Sequence, residues 1–405
     1  MKSPSKPEPK VATVPGKSNF LRWRAANVAL CCKIAFITAI SIYWQASIQA
    51  AETPEPNPFP KAQAHLPEGF PTPAIPEDNP ITLAKVALGR ALFYEGRLAV
   101  DGKTSCGNCH IQALAFTDGL GQAMGATGLK HPRGAMSLVN VAFNASMTWA
   151  DPEIASLETQ AMVPLFNQHP IEMGLAGREK EVLSFLREDP NYQAMFKAAF
   201  PASPKPTIEL VTKALANFER TIVSFNSPVD AIVMNDAQVP QRDAILRGMR
   251  LFFSDRLNCG KCHGGFNFSG PVKTGDGKRN PTFHHNGLQG QGPTIDERQL
   301  DPGLAAHTGS PWDWGKFRAP TLRNIAVTAP YMHRGQLRTL DEVIDHYAAG
   351  GQKGPAPGSG GRDHPNKSPL IKGFQISSAE REDLLTFLRN LTDESLLKRK
   401  DLAAP

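Results

Sequence analysis

The chain has 405 residues and a formal net charge of +6, with 34 glycines, 35 prolines and 6 cysteines. The excess positive charge lies in residues 1–33, which contain seven basic residues and one acidic residue, so 37 bases and 37 acids remain in the rest of the chain. Because this remainder is neutral overall, its charge gives no reason to expect a polyanionic partner, and we expect no binding to nucleic acid.

Residues 1–50 have the composition of an export signal. The basic segment is followed by an apolar run from Ile34 to Trp44, and then by small residues around Ala50 that offer an A-x-A-like cleavage site. The apolar run is too short to span a bilayer about 30 Å thick at about 1.5 Å per residue. An uncleaved anchor that begins near Ala25 is the alternative, and only then do we expect contact with a membrane. Both alternatives predict a periplasmic protein.

Residues 51–80 are a proline-rich arm, in which nine prolines favour an extended chain. A helix is predicted directly after this arm. Thr82 is a suitable capping residue, and apolar residues recur at helical spacing from Leu83 to Ala91. This helix leads into the first of two copies of one motif.

Each copy has the pattern C-x-x-C-H, in which two thiols can form thioethers with haem while the histidine binds the iron. The copies are Cys106-Gly-Asn-Cys109-His110 and Cys259-Gly-Lys-Cys262-His263. A zinc site and a disulfide pair are the alternatives for such a spacing. The other two cysteines, Cys31 and Cys32, lie in the predicted leader. We therefore predict two covalently bound haem c groups.

The predicted helices repeat around the two motifs. An apolar face at 245–253 precedes the second motif, Thr207 to Phe225 predicts a long amphipathic helix, and Ser377 with Glu380 forms a capping box. No convincing alternating strand pattern is present. We expect a mainly α fold with two cytochrome c-like haem domains, residues 81–225 and 226–405, related by internal duplication. Long loops are expected at 264–316 and 351–370.

Further residues follow each motif in a characteristic order. The first half carries Ala115-Phe-Thr-Asp118-Gly, Pro132-Arg133, Ser137-Leu-Val-Asn140, Trp149, Gln160, Pro164 and Glu172-Met-Gly174. The second half carries Phe317-Arg318-Ala-Pro320-Thr-Leu-Arg323-Asn324, Thr328-Ala-Pro330-Tyr331-Met-His333 and His346-Tyr347. Over roughly residues 60–395 the chain resembles the bacterial di-haem cytochrome c peroxidase and MauG superfamily.

The resemblance implies that the first haem, on His110, reacts with peroxide and that Glu172 is the acid–base catalyst. Cleavage of H₂O₂ requires a group that takes a proton from one oxygen and returns it to the other, and a carboxyl group can do both. Gln160 and Pro164 match pocket positions of the family, and Trp149 matches a tryptophan that relays electrons between the haems. The alternatives are a solvated carboxylate for Glu172 and a core indole for Trp149.

The chain departs from the standard peroxidases at both irons. Their distal histidine for the first haem corresponds to Ala126 here, so we expect this haem to be five-coordinate at rest, with His131 as the alternative ligand. At the second haem, held by His263, Tyr347 stands where electron-accepting peroxidases have methionine. An anionic phenolate favours a high-valent iron, whereas a thioether favours Fe(II). A packed helix aromatic is the alternative for Tyr347.

The resemblance implies further contacts with the cofactors. Arg133, Arg318 and Arg323 are candidates for bidentate pairing with haem propionates, although each could form an ordinary ion pair. The family also binds calcium between its domains. Thr328 and Pro330 match that site, so Ca²⁺ is a further cofactor that the resemblance implies, but Gly134 replaces an asparagine whose oxygen a hard cation needs.

Within the superfamily, the segment from Leu157 to Phe166 and the Trp149-Ala-Asp151 sequence resemble the MbnH-like branch. This implies an oxidoreductase that uses H₂O₂ to form a high-valent di-haem state and oxidises a residue of a partner protein, namely a tryptophan of an MbnP-like protein. The second hypothesis is a peroxidase that removes H₂O₂ with electrons from a small cytochrome or copper protein. The third is a non-catalytic di-haem electron carrier, against which Glu172 and an open first haem argue.

Overall fold

Short helices joined by long irregular segments make up this computed structural model, which describes residues 73–273, 280–290 and 300–405. All of these residues belong to one compact unit. The predicted leader, and the arm up to residue 72, lie outside the described residues and stay predictions. Within the described ranges, no helix is both long and apolar enough to cross a membrane.

The described residues form helices on both sides of residue 225, the end of the first predicted haem domain. They are α1 (Leu83–Phe93), α2 (Cys106–Cys109), α3 (Leu157–Phe166), α4 (Glu179–Glu188), α5 (Pro190–Ala199), α6 (Ile208–Glu219), α7 (Pro228–Asn235), α8 (Arg242–Phe252), α9 (Cys259–Cys262), α10 (Ala305–Thr308), α11 (Leu340–Ala348) and α12 (Ser378–Arg389). Two short strands, β1 (Phe283–His284) and β2 (Phe317–Arg318), pair antiparallel. The mainly helical fold class is confirmed.

Two predicted helix starts are confirmed in atomic detail. The Thr82 hydroxyl accepts a hydrogen bond from the Lys85 backbone N–H at 3.2 Å. Ser377 and Glu380 form the expected capping box at the start of α12. Each contact satisfies a backbone N–H that has no partner within its own helix, which explains why these residue types begin the helices.

The helix predicted from Thr207 to Phe225 is shorter than expected, because α6 ends at Glu219. After Arg220 the chain leaves the helix and binds a loop of the first half. Asn140 N–H donates to the Ile222 carbonyl at 2.8 Å, and its side-chain oxygen accepts from Ser224 N–H at 2.8 Å. The apolar pattern continued because Ile222 and Phe225 are buried, although they lie outside the helix.

A close helix crossing lies beside each haem motif. In the first half α1 packs on α6, and a Cβ atom added at Gly89 would clash with the Ala214 carbonyl. In the second half α8 packs on α12, where a Cβ atom added at Gly248 would clash with the Asp383 carbonyl. Glycine at each crossing therefore lets two helix backbones approach each other.

The aromatic packing is also the same in the two halves. The Phe93 and Phe218 ring centroids are 5.1 Å apart across the first crossing, and those of Phe252 and Phe387 are 5.2 Å apart across the second. Each phenylalanine on α1 or α8 is followed by a second aromatic residue that covers the glycine of the nearby motif. These pairs place both motifs against equivalent helix surfaces.

The hydrophobic core has one main cluster in each half, and the end of the chain joins the first of them. Leu396 and Leu402 are fully buried among residues of α1 and α6. The Tyr94 hydroxyl donates to the Leu402 carbonyl at 2.7 Å, and Arg90 Nε donates to the Ala403 carbonyl at 2.6 Å. The last residues of the predicted second domain, 226–405, therefore pack against the first half.

Candidate functional site

The first motif presents a histidine to a cavity. Helix α2 places Cys106 and Cys109 on one short turn, which Ser105 and Asn108 cap reciprocally. The His110 Nδ1–H donates to the Phe116 carbonyl at 2.8 Å. This hydrogen bond fixes the ring and leaves Nε2 as the nitrogen available to a metal.

The cavity beside His110 collects the residues predicted for the peroxide-reactive site. It has a volume of about 710 Å³, including its open mouth. Its lining includes Cys106, Cys109, His110, His131, Gln160, Pro164, Glu172 and Glu219. The sequence separates some of these residues by more than a hundred positions, so the fold brings the expected acid–base residue and the expected iron ligand to one space.

The backbone around Glu172 is hydrogen-bonded to two neighbouring segments. Its carbonyl accepts from Ala126 N–H at 2.7 Å, and the next residue, Met173, donates to the Pro164 carbonyl at 2.8 Å. A Cβ atom added at Gly125 would clash with the Ile171 carbonyl, so the loop and this segment touch closely. Burial raises the pKa of Glu172 to about 7, a value suited to moving protons near neutral pH.

Gln160 and Pro164 lie one helical turn apart on α3. Because proline has no N–H, Pro164 cannot donate to the Gln160 carbonyl four residues earlier, and that carbonyl lacks its usual helical partner. Both residues line the first cavity. Helix α3 thus brings both predicted pocket residues to the same cavity.

The second motif lines a larger cavity of about 1430 Å³, including open space. Here the His263 Nδ1–H donates to the Phe268 carbonyl at 3.0 Å, which repeats the arrangement of the first motif. Tyr347 lies in the same cavity on α11. Burial raises the pKa of Tyr347, while a hydrogen bond from the Asn286 side chain acts in the opposite direction.

Asn286 is a residue of this cavity that the sequence did not indicate. Its Nδ2 lies 3.3 Å from the Met332 sulfur, and its backbone carbonyl accepts from His346 Nε2 at 3.0 Å. It lies in the loop predicted at 264–316, where no pattern distinguishes one asparagine from another. It joins Tyr347 to a thioether that lines the same cavity.

Trp149 borders the second cavity and links the two halves. Its Nε1–H donates to the Gly134 carbonyl at 3.0 Å, and its carbonyl accepts from Arg318 N–H at 2.8 Å. Its ring meets the buried His333 ring edge to face, with centroids 6.5 Å apart. The indole is thus fixed at the boundary between the halves, while its role as an electron relay stays a prediction.

Comparison with known proteins decides the family. A family model described as di-haem cytochrome c peroxidase matches residues 83–238. The methylamine utilization protein MauG of Methylorubrum extorquens is 33% identical over 334 residues, which cover 82% of this chain and 84% of that protein. The chain belongs to the di-haem cytochrome c peroxidase family. It is therefore a haem-dependent oxidoreductase of the peroxidase type.

Two further relatives represent two kinds of protein within this family, a cytochrome-c peroxidase and a MauG-like protein. The cytochrome-c peroxidase IdrP1 of Denitromonas iodatirespirans is 35% identical over 348 residues, covering 82% of this chain and 87% of that protein. A solved structure of a MauG-like protein associated with microbial copper homeostasis is 39% identical, with a TM-score of 0.78, and covers 84% of this chain and 98% of that one. The chain is therefore similar to both kinds of protein to a comparable degree.

Membership in a di-haem family implies two haem groups, and the residues present fit them. Each motif supplies paired thiols and a histidine whose Nδ1–H is bound to a backbone carbonyl. Arg318 is buried at the second cavity, where the Thr148 carbonyl accepts from its Nε at 3.2 Å. Burial lowers the pKa of Arg318 to about 10. A buried cation of this kind suits a propionate of the haem on His263.

The other two arginines predicted to pair with propionates are directed at carboxylates of the protein. Arg133 forms a bidentate pair with Asp301, with both N–O distances at 2.8 Å. Arg323 forms a buried bidentate pair with Asp230 at 2.8 and 2.9 Å. These contacts favour the ion pairs that the sequence left open as the alternative, and pairing of these two arginines with propionates stays a prediction.

The residues present do not complete the calcium site of the family. A Cβ atom added at Gly134 would lie 2.9 Å from the Leu120 carbonyl oxygen, so there is no room for the missing asparagine side chain. The Thr328 hydroxyl donates to the Ile325 carbonyl at 3.2 Å. Pro330 adds at most a backbone carbonyl.

Glu219 is a second carboxyl group of the first cavity that the sequence did not single out. It is buried at the end of α6, and its Oε2 has no hydrogen-bond partner among the described residues. Burial raises the pKa of Glu219 to about 8. The helical pattern of α6 gave no signal for it, because a glutamate at the end of an amphipathic helix is usually solvated.

Proposed function

We propose that this chain uses H₂O₂ to oxidise a residue, namely a tryptophan, of a partner protein. The observation that carries the proposal is the presence of Tyr347 in the cavity of His263, at the position where electron-accepting relatives use methionine. A phenolate ligand lowers the potential of an iron, which makes the second haem a poor acceptor from ordinary high-potential donors. Oxidising equivalents are then kept until a protein substrate binds.

In this proposal the residues of the first cavity bind H₂O₂ and transfer its protons. Glu172 takes a proton from one oxygen of H₂O₂ and returns it to the other, which leaves as water. Gln160 holds the ligand or a water by a hydrogen bond. Two electrons and two further protons convert one H₂O₂ into two waters, and the electrons come from the partner's side chain. The haems, when bound, supply the iron at which peroxide is reduced.

The same proposal covers the cofactor attachment and the cell compartment. The haems are attached through Cys106, Cys109, Cys259 and Cys262, and the chain works in the periplasm, where c-type haem is attached to exported proteins. The repeated glycine crossings and aromatic pairs support an internal duplication in which each half holds one haem. Trp149 would serve as the relay for electrons, and its two hydrogen bonds, from Nε1–H to the Gly134 carbonyl and from Arg318 N–H to its own carbonyl, support a fixed position for the indole.

A second candidate function is the removal of H₂O₂ with electrons from a small cytochrome or copper protein. The similarity to a protein named as a cytochrome-c peroxidase, at 35% identity, favours it. In that case the electrons arrive singly from a donor that docks and leaves, and the partner is not modified. Membership in a peroxidase family argues against the third candidate, a non-catalytic electron carrier.

Electron paramagnetic resonance of the resting diferric protein tests the site. We expect one high-spin signal from the haem on His110 and one low-spin His/Tyr signal from the haem on His263. Two low-spin signals would remove the entry point for peroxide. A methionine-type low-spin signal would assign the second iron to a thioether, for which Met332 lines the cavity.

A discharge experiment separates the two candidate functions. The purified holoprotein is mixed with H₂O₂ alone, and a long-lived near-infrared absorption is expected. Addition of an MbnP-like protein encoded beside it should remove that absorption and change the mass of one partner tryptophan. Rapid steady turnover with a small cytochrome, while the partner's mass stays unchanged, would favour the peroxidase instead.

A further inference from the structure

His131 lies opposite Glu172 in the first cavity. Its Nε2 is 3.7 Å from Glu172 Oε1, and the exposed fractions of the two side chains are 23% and 33%. Both residues line the cavity of His110. A distance of 3.7 Å is longer than a hydrogen bond, but catalytic contacts are commonly long before ligands bind and shorten afterwards.

The tautomer of His131 follows from its other nitrogen. The Arg133 backbone N–H points at Nδ1 from 3.0 Å, and the Arg133 carbonyl oxygen lies 3.1 Å from the same nitrogen. A protonated Nδ1 would donate to this carbonyl, whereas an unprotonated Nδ1 accepts from the amide N–H and leaves the proton of the neutral ring on Nε2. We assign the second tautomer, because a proton on Nδ1 would lie against the amide proton, which is always present. The nitrogen that faces Glu172 is therefore a donor. It has no lone pair to offer a metal unless the tautomer changes.

The backbone sets the distance between the two side chains. His131 N–H donates to the Ala123 carbonyl at 2.7 Å, and the Gln122 side chain donates to the His131 carbonyl at 3.2 Å. The same loop binds the Glu172 carbonyl through Ala126 N–H at 2.7 Å. One hydrogen-bonded loop thus holds both residues.

We propose that His131 is a positioning residue that donates from Nε2 to the Glu172 carboxylate and does not bind the first iron. This deepens the proposed function and rests on it for its kinetic part only. A donor beside the carboxylate stabilises the ionised form, in which Glu172 can take the first proton from peroxide. The donor also keeps Oε1 facing the cavity.

The groups around the pair determine how its pH dependence should be interpreted. Arg133 and Asp301 act on the His131 side with opposite signs, and they are paired with each other. On the Glu172 side stand Cys106 and Cys109, which do not titrate once they are thioethers. Glu219 is the other carboxyl group of the cavity, so a Glu219→Gln variant is needed to assign the titration.

The test compares His131→Gln, whose amide can still donate, with His131→Phe, which cannot. Lys130→Gln is the matched control, because Lys130 is the exposed neighbour of His131. All variants should carry two haems per chain. In resting holoprotein, the protonated-carboxyl infrared band that is lost in Glu172→Gln is titrated with pH. His131→Phe should raise its midpoint by about one pH unit, the tenfold change that one hydrogen bond to a charged group is worth.

The rate of the peroxide reaction should rise with pH. The midpoint of this rise should shift to higher pH by the same amount in His131→Phe and should stay near the original value in His131→Gln. The high-spin resonance signal of the first haem should be present in every variant. Equal behaviour of the Gln and Phe variants would overturn the proposal. So would a low-spin first haem that becomes high-spin in His131→Phe, because His131 would then be its ligand. If the original protein does not react with peroxide, the proposed function fails, and the infrared titration still tests His131.

Discussion

At the scale of single residues, Glu172 has a backbone fixed by hydrogen bonds and a carboxyl group that can exchange a proton in the first cavity. The carbonyl of Glu172 and the N–H of Met173 are both hydrogen-bonded to neighbouring segments, at 2.7 and 2.8 Å. The Glu172 side chain is left to the cavity, where burial raises its pKa to about 7. A carboxyl group with this pKa is present in both protonation states near neutral pH, which an acid–base catalyst needs.

Glu172→Gln should therefore keep both haems and the fold, because glutamine has nearly the same shape and the backbone contacts remain. Formation of the peroxide-oxidised state should slow by roughly 10²–10⁴-fold, the usual contribution of a positioned acid–base group. Stopped-flow spectroscopy with H₂O₂ measures this rate. Gln168→Glu, at an exposed position nearby, is a control that should have no effect. An unchanged rate in Glu172→Gln would transfer the role to Gln160 and a water.

The sequence could predict those residues whose chemistry is written in a local motif. The C-x-x-C-H copies give Cys106 to His110 and Cys259 to His263, and the structure places Glu172 and Tyr347 in the corresponding cavities. The approach of His131 to Glu172 could not be predicted, because it depends on a loop that pairs with a segment about forty residues later. The pairing of Arg133 with Asp301 is non-local in the same way.

At the scale of elements, each haem motif depends on one helix crossing. Gly89 on α1 and Gly248 on α8 touch the partner helix with their backbones. The sequence showed both helices through their apolar faces, but a glycine within a helix normally indicates only a weak helix position. That these glycines are contact points becomes visible only when α6 and α12 are in place.

Gly89→Ala should destabilise the first half although alanine is the better helix former. The added methyl group must displace the Ala214 carbonyl and lies 2.9 Å from the Phe218 Cβ. Overpacking of this kind costs about 1–3 kcal/mol or more. Denaturant unfolding followed at each haem should show a loss at the first haem for Gly89→Ala and at the second for Gly248→Ala. Ala87→Gly, at an exposed position on α1, should cost only about 1 kcal/mol.

At the scale of the whole molecule, buried histidines connect its stability to pH. Burial lowers the pKa of His285 to about 3 and that of His333 to about 3. Both are neutral in the folded protein, whereas the unfolded chain binds their protons below about pH 6.5. The two histidines therefore make their full contribution to the free energy of unfolding above that pH. It falls as the pH decreases from about 6.5 towards 3, by up to about 1.4 kcal/mol per pH unit for each histidine.

His285→Phe should remove one such contribution. The ring can still stack on His364, whose centroid lies 4.2 Å away, but the hydrogen bond from Gly287 N–H to Nδ1 is lost. We expect a loss of about 1–3 kcal/mol near pH 7 and a smaller slope between pH 6.5 and 3. Denaturant unfolding at several pH values measures both. An unchanged slope, compared with the exposed-site control His169→Phe, would show that His285 is protonated in the folded state.

The last residues of the chain, after the second haem motif, pack against the first half of the molecule. Leu396 and Leu402 are fully buried in the first core, and Gln112 Nε2 donates to the Leu396 and Arg399 carbonyls at 3.0 and 2.8 Å. Tyr94, which binds the Leu402 carbonyl, also covers Gly107 of the first haem motif. No local pattern predicts such a return, because two leucines in a polar tail look like any others.

Leu402→Ala should therefore weaken the first haem domain although residue 402 lies far beyond the second motif. Truncation of a fully buried leucine costs about 2–5 kcal/mol. Unfolding monitored by the high-spin signal of the first haem should occur at a lower denaturant concentration, while the low-spin signal changes less. Lys398→Ala removes only an exposed pair with Glu394, at 2.9 Å, and should cost less than about 1 kcal/mol. Equal shifts of both haem signals in Leu402→Ala would mean that the two halves unfold as one cooperative unit.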